Sequence, residues 1–105
     1  MKPFDFASRV HILHKNYTVS ECDNLHDEKS ELLGHINYLT QAIELRSDAS
    51  PDEKRVTLLH EILHGVDKAW GLRLKERQVE VLATALYQLL CDNGWVVKPM
   101  EAQSA

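Results

Sequence analysis

The chain has 105 residues, enough for one domain with a modest core and too few for a second. Its 44% hydrophobic and 27% charged residues are those of an ordinary globular protein, and a formal net charge of -4 with a pI near 5.8 carries no footprint for nucleic acid or an acidic membrane. No run approaches the roughly 18 apolar residues of a membrane span, and residues 1–6 lack the apolar segment of a secretory signal, so a cytoplasmic, single-domain protein over residues 1–105 is expected.

Within that domain the core is expected over about residues 9–97, with both ends frayed. Residues 9–14 read as a short strand, Lys15-Asn16 as a turn and residues 17–19 as the return strand of a hairpin. His11 and His14 fall on opposite faces of such a strand and cannot share one metal ion. Residues 20–30 are polar and acidic (Glu21, Asp23, Asn24, Asp27, Glu28) and read as a solvated loop in which His26 has no neighbour to pair with. Around residues 32–39 the alternation is partial, with Ile36 and Tyr38 on one parity. A bend at Thr40-Gln41 then leads to clean alternation from Ala42 to Arg46, a second strand pair. The cysteines, Cys22 and Cys91, stand outside any C-x-x-C spacing and read as free thiols that bind no metal.

A helix start follows: Ser50 as N-cap, Pro51 at the first helical position and Glu53 at the capping-box position. The helix should run over residues 51–69 and stop near Trp70-Gly71, with the glycine closing it. Val56, Leu59, Leu63, Val66 and Trp70 form one apolar stripe, and Leu58, Ile62 and Ala69 another on nearly the opposite side. A helix apolar on two sides is buried between two layers. Between the stripes runs a polar strip: Thr57, His60, Glu61, His64, Asp67 and Lys68. It contains His60-Glu61-Ile62-Leu63-His64, the pattern His-Glu-x-x-His. Residues four apart on a helix lie one above the other, so His60 and His64 can aim two ring nitrogens at one Zn²⁺ ion. Glu61, about 100° further round, flanks the ion where a general base acting on its water must stand.

The second helix is expected over residues 75–92, with Val79, Leu82, Ala83, Leu86 and Leu90 facing the core and Asn93-Gly94 ending it. Trp95-Val96-Val97 would pack back on the domain. A catalytic zinc needs a third protein ligand and an open position. Glu80, on the border of the core stripe, is the first choice, and Glu76, one turn earlier on the same side, is the alternative. Asp67 is a further contender, better suited to accept a hydrogen bond from a ligand imidazole. Together these elements predict an α+β fold: a small sheet of three to four strands, a central motif helix and a second helix bearing a glutamate.

The motif helix, the run Glu80-Val81-Leu82-Ala83-Thr84-Ala85-Leu86-Tyr87-Gln88-Leu89-Leu90 with Cys91-Asp92-Asn93 after it, and the strand Gly34-His35-Ile36-Asn37-Tyr38 resemble the ImmA/IrrE-like zinc metallopeptidases, above all the short forms carried by phages and mobile elements. The resemblance spans about residues 10–93. It implies a minimal zincin of gluzincin type, with His60, His64 and Glu80 as zinc ligands, Glu61 as catalytic base and a regulatory protein as substrate. The chain departs from longer relatives in having no room for a helix-turn-helix domain. An extended peptide substrate would join a sheet edge, residues 42–45 being the expected place. Tyr38, Tyr87 and His35 are the candidates for stabilising an oxyanion. Two other readings compete: a zinc-binding module without proteolysis, and an interaction protein whose motif is accidental. Oligomeric state is left open.

Overall fold

Alternating apolar residues build the sheet. In the computed structural model, which describes residues 9–23, 25 and 33–94, four strands and two helices follow in the order β1 (Arg9–Ile12), β2 (Lys15–Cys22), β3 (Gly34–Asn37), β4 (Ala42–Arg46), α1 (Pro51–Trp70) and α2 (Glu76–Asp92). The sheet order is β1-β2-β4-β3, with a parallel β2–β4 pair between two antiparallel ones. One face carries Ile12, Tyr17, Ile43 and Leu45, all buried, beside half-buried Val10, Val19 and Ile36. The other parity, with Arg9, His11, Asn16, Thr18, Ser20 and His35, is exposed.

The first turn lies at Leu13-His14 and not at Lys15-Asn16. Leu13 takes a φ of 57°, and Ile12 pairs with Lys15 and Val10 with Tyr17. Both registers keep Val10, Ile12, Tyr17 and Val19 on one face, because a slip by an even number of residues preserves facing. Alternation alone therefore cannot choose between them. Strand β2 also continues to Cys22, through the first part of the stretch read as a loop, because its polar end pairs in parallel with Glu44, Leu45 and Arg46. The second hairpin turns where expected. Asn37 Oδ1 accepts from the Leu39 and Thr40 N–H groups at 2.9 and 3.0 Å, and Gln41 takes a φ of 56°.

Helix α1 begins and ends on the residues that signalled it. Ser50 Oγ accepts from the Glu53 N–H at 3.1 Å, and Gly71, at φ 65°, donates its N–H to the Asp67 carbonyl at 2.8 Å. Leu58, Ile62 and Val66 seat it on the sheet. At Gly65 the approach is so close that an added Cβ would stand 2.6 Å from Ile12 Cδ1. Helix α2 packs on the far side of α1 and, among the described residues, on no other element. The layers are therefore sheet, α1, α2, and α1 lies between two of them as its two stripes predict. The last residues of α1 escape this burial: Ala69 and Trp70 are exposed.

With only one neighbour, α2 buries one residue per turn: Val79, Ala83 and Tyr87. The broader stripe expected from sequence is not covered, since Leu82 and Leu86 are exposed and Leu90 is half-buried. Tyr87 reaches a buried polar cluster that holds the helices together. Its hydroxyl donates to Asp52 Oδ1 at 2.8 Å, while Arg55 Nη1, fully buried, donates to the Tyr87 oxygen at 3.2 Å and to Asp52 Oδ1 at 3.1 Å. Beside this cluster, Lys54 is paired with Glu21 at 2.8 Å. Both cysteines are free thiols. No helix among the described residues is long and apolar enough to cross a membrane. The expected packing of residues 95–97 lies outside the described residues.

Candidate metal centre

The middle turns of α1 carry His60 and His64 toward α2, with their Nε2 atoms 3.2 Å apart. The carboxylate that meets them is that of Glu76, whose Oε2 lies 2.8 Å from His60 Nε2 and whose Oε1 lies 3.0 Å from His64 Nε2. These three side chains form a group able to hold a metal ion. Four ligands arranged tetrahedrally at about 2.0–2.1 Å from zinc stand about 3.3 Å from one another. The two histidine Nε2 atoms, 3.2 Å apart, match one edge of such a tetrahedron, and the Glu76 carboxylate brings one oxygen to each ring at 2.8 and 3.0 Å.

Glu80 lines the same cavity one turn further along α2, outside the group of three. The loop between the helices explains the choice. It does not start α2 at the foot of α1 but climbs back beside it, so that the Leu74 N–H donates to Asp67 Oδ1 at 3.1 Å. Glu76, two residues on, therefore stands level with the histidines at the very start of α2. Residues 76 and 80 share a face, so the sequence places both within one turn of the right position. Asp67, weighed as a ligand or a partner of a ligand ring, instead holds this loop with its side chain and accepts from the Gly71 and Leu72 N–H groups with its carbonyl.

Glu61 is turned from the histidines toward the sheet side of the cavity. It is 7% exposed, and burial followed by the nearby negative charge of Glu76 raises its carboxyl from 4.5 to about 7. Its place depends on Gly34 at the start of β3. A Cβ there would collide with Thr57 Cγ2 and stand 3.3 Å from Glu61 Oε2. Edge strand β3 thus passes directly against the helix face that carries the acid. The cavity so enclosed has a volume of about 550 Å³ and is lined by Leu33, Gly34, Val56 and Thr57 on one side of the histidines and by Glu76, Glu80 and Thr84 on α2, with Glu53 also at its wall.

None of the three oxyanion candidates lines this cavity. Tyr38 donates to the His64 carbonyl at 3.3 Å, and burial together with Glu61 holds its hydroxyl protonated above the usual range. Tyr87 belongs to the Arg55–Asp52 cluster, and His35 is on the exposed face of β3. The strand expected to offer an edge, β4, is paired on both sides; among the described residues the outer strands are β1 and β3, and β3 borders the cavity through Gly34. The sequence marks Glu53 as a capping residue and Val56 as apolar, but does not place Gly34, Glu53, Val56 or Thr84 at the site. Their roles come from the approach of separate elements, and no local pattern announces them. Comparison with protein-family models, with curated proteins and with solved structures finds no match.

Proposed function

We propose that this chain is a zinc-dependent peptidase, a minimal zincin-like domain of the kind suggested by its resemblance to the ImmA/IrrE-like enzymes, with His60, His64 and Glu76 as the metal ligands. The observation that carries the reading is the convergence of His60 Nε2, His64 Nε2 and the Glu76 carboxylate, whose donor atoms lie within 4.8 Å of one another, with a buried carboxyl on the neighbouring residue. Two neutral imidazoles and a carboxylate are the donor set of many hydrolytic zinc sites. Zinc bound there would polarise a substrate carbonyl and bring the pKa of its water to near 7.

Glu61 has the properties of the proton carrier. Burial and the Glu76 charge raise its carboxyl to about 7 in the metal-free chain, and bound zinc would favour the carboxylate, the form that can accept a proton from the attacking water and return it to the leaving amine. Without metal each Glu76 oxygen meets one histidine Nε2, and zinc held among the three side chains would replace both contacts with bonds to the ion. Strand β3 supplies a free edge on which an extended peptide can add by backbone hydrogen bonding, next to Gly34 and the cavity. The substrate class is a protein or peptide, and the proposed setting is the cytoplasm.

The test is elemental mass spectrometry on protein purified without chelator, followed by a peptide-cleavage assay. About one zinc per chain is expected, lost in His64→Ala and Glu76→Gln and kept in Glu80→Gln. Glu61→Gln should keep the metal and lose cleavage. Zinc without any cleavage would leave a metal-binding module, and absence of zinc after reconstitution would refute the reading altogether.

A further inference from the structure

The walls of the cavity are charged in one sense. Of its lining residues, Glu53, Glu61, Glu76 and Glu80 are carboxylates, and no lysine or arginine lines it among the described residues. Glu61 and Glu76 are absorbed by the proposed chemistry. Glu53 and Glu80 are not: both are exposed, and neither forms an ion pair among the described residues. Of the nearby cations, Lys54 is paired with Glu21 and Arg55 with Asp52 and Tyr87, while Lys75 and Arg77 on either side of Glu76 are exposed and outside the lining. Glu61 adds a separate observation, being a side chain more than nine-tenths buried, without a hydrogen-bond partner, on the cavity wall.

We infer that the cleft selects cationic peptides, with Glu53 and Glu80 receiving Lys or Arg side chains that lie within about three residues of the scissile bond. This rests on the peptidase reading above. A helix rises about 1.5 Å per residue, so Glu53 stands roughly 10 Å along α1 from His60, and Glu80 roughly 6 Å along α2 from Glu76. An extended peptide advances about 3.3 Å per residue, which puts both carboxylates within reach of side chains two or three positions from the metal. With zinc bound, its two positive charges are offset by Glu61 and Glu76, and the charge left over on the walls is that of Glu53 and Glu80. A concave site of one sign concentrates ligands of the other. Acidic peptides are disfavoured by the same field.

The experiment uses zinc-loaded Glu61→Gln, so that a bound peptide is not consumed. Because α2 runs back along α1, Glu53 and Glu80 lie on the same side of the metal. Two octapeptide amides are compared by fluorescence anisotropy and by ¹⁵N chemical-shift mapping: one with Lys at the second and third positions to each side of a central Ala-Leu bond, the other with Glu at the same places. The lysine peptide should bind roughly tenfold more tightly, two partly solvated pairs each adding a few-fold. Shifts should centre on Val56, Glu80 and Thr84. Raising salt should erase the preference, and adding Glu53→Gln and Glu80→Gln together should erase or invert it, since zinc and Glu76 then leave one positive charge, with zinc content unchanged. Equal affinities, no binding of either peptide, or a preference that survives both substitutions would overturn the inference. Loss of zinc in Glu80→Gln would also overturn it, by making that residue a ligand. Selective binding of the lysine peptide, never cleaved by the zinc-loaded wild type, would uphold the selectivity and refute hydrolysis.

Discussion

Replacing Glu61 by glutamine should make the metal-free protein more stable, and only above a certain pH. Glu61 carries a raised pKa, about 7 against 4.5, because burial and the Glu76 charge penalise its ionised form. Between those two values the folded chain keeps a proton that the unfolded chain has released. Where the native state binds more protons, stability falls as pH rises. The penalty thus grows from about pH 4.5, is complete just above pH 7 and stays constant beyond. At 1.36 kcal/mol per pH unit, this interval corresponds to about 3 kcal/mol. Glutamine has nearly the same shape and no proton to lose. In chelator-treated protein unfolded with urea, the two chains should therefore have similar midpoints near pH 4.5. At pH 8 the variant should unfold at a higher midpoint, by roughly 2 M for a slope near 1.5 kcal/mol per M. Adding zinc should narrow the gap, since a nearby cation favours the carboxylate. A gap that is the same at both pH values would refute the claim that Glu61 is held protonated by its surroundings.

Three further outcomes follow from the same geometry. Asp67→Ala frees the Leu74 N–H and lets the start of α2 move, so zinc affinity measured by chelator competition should fall about 10-fold or more, although Asp67 touches no donor atom of the site. Gly34→Ala forces a methyl group against Thr57 and Glu61. It should cost about 1–3 kcal/mol in urea unfolding and impair cleavage more than metal content. Tyr87→Phe removes the donor to Asp52 and an acceptor of the buried Arg55, and should lower stability by about 1–3 kcal/mol while zinc stoichiometry is retained.

Much of the scaffold was legible locally. Ser50, Pro51 and Gly71 bound α1 because capping involves only the residues at a helix end. His60 and His64 converge because a spacing of four on a helix leaves them nowhere else to point. What local pattern could not supply was the identity of partners. The hairpin at Leu13-His14 and the one expected two residues later bury the same side chains, and the polar end of β2 is a strand only because β4 lies beside it. Leu82 and Leu86 have the spacing of core residues, but α2 has one neighbour to pack on and leaves them exposed.

By itself the sequence determined an α+β chain with two histidines and an acid on one turn of a well-capped helix. The tertiary structure decided which carboxylate completes the group. Glu76 and Glu80 are equivalent in periodicity, and the choice depends on how far the loop climbs before α2 begins, which Asp67 sets by binding Leu74. Likewise Glu61 is an ordinary acid in the sequence. Its proton affinity rises because β3, held close by Gly34, removes water from it. Both results are through-space effects of elements far apart in the chain, and periodicity along one helix cannot encode them.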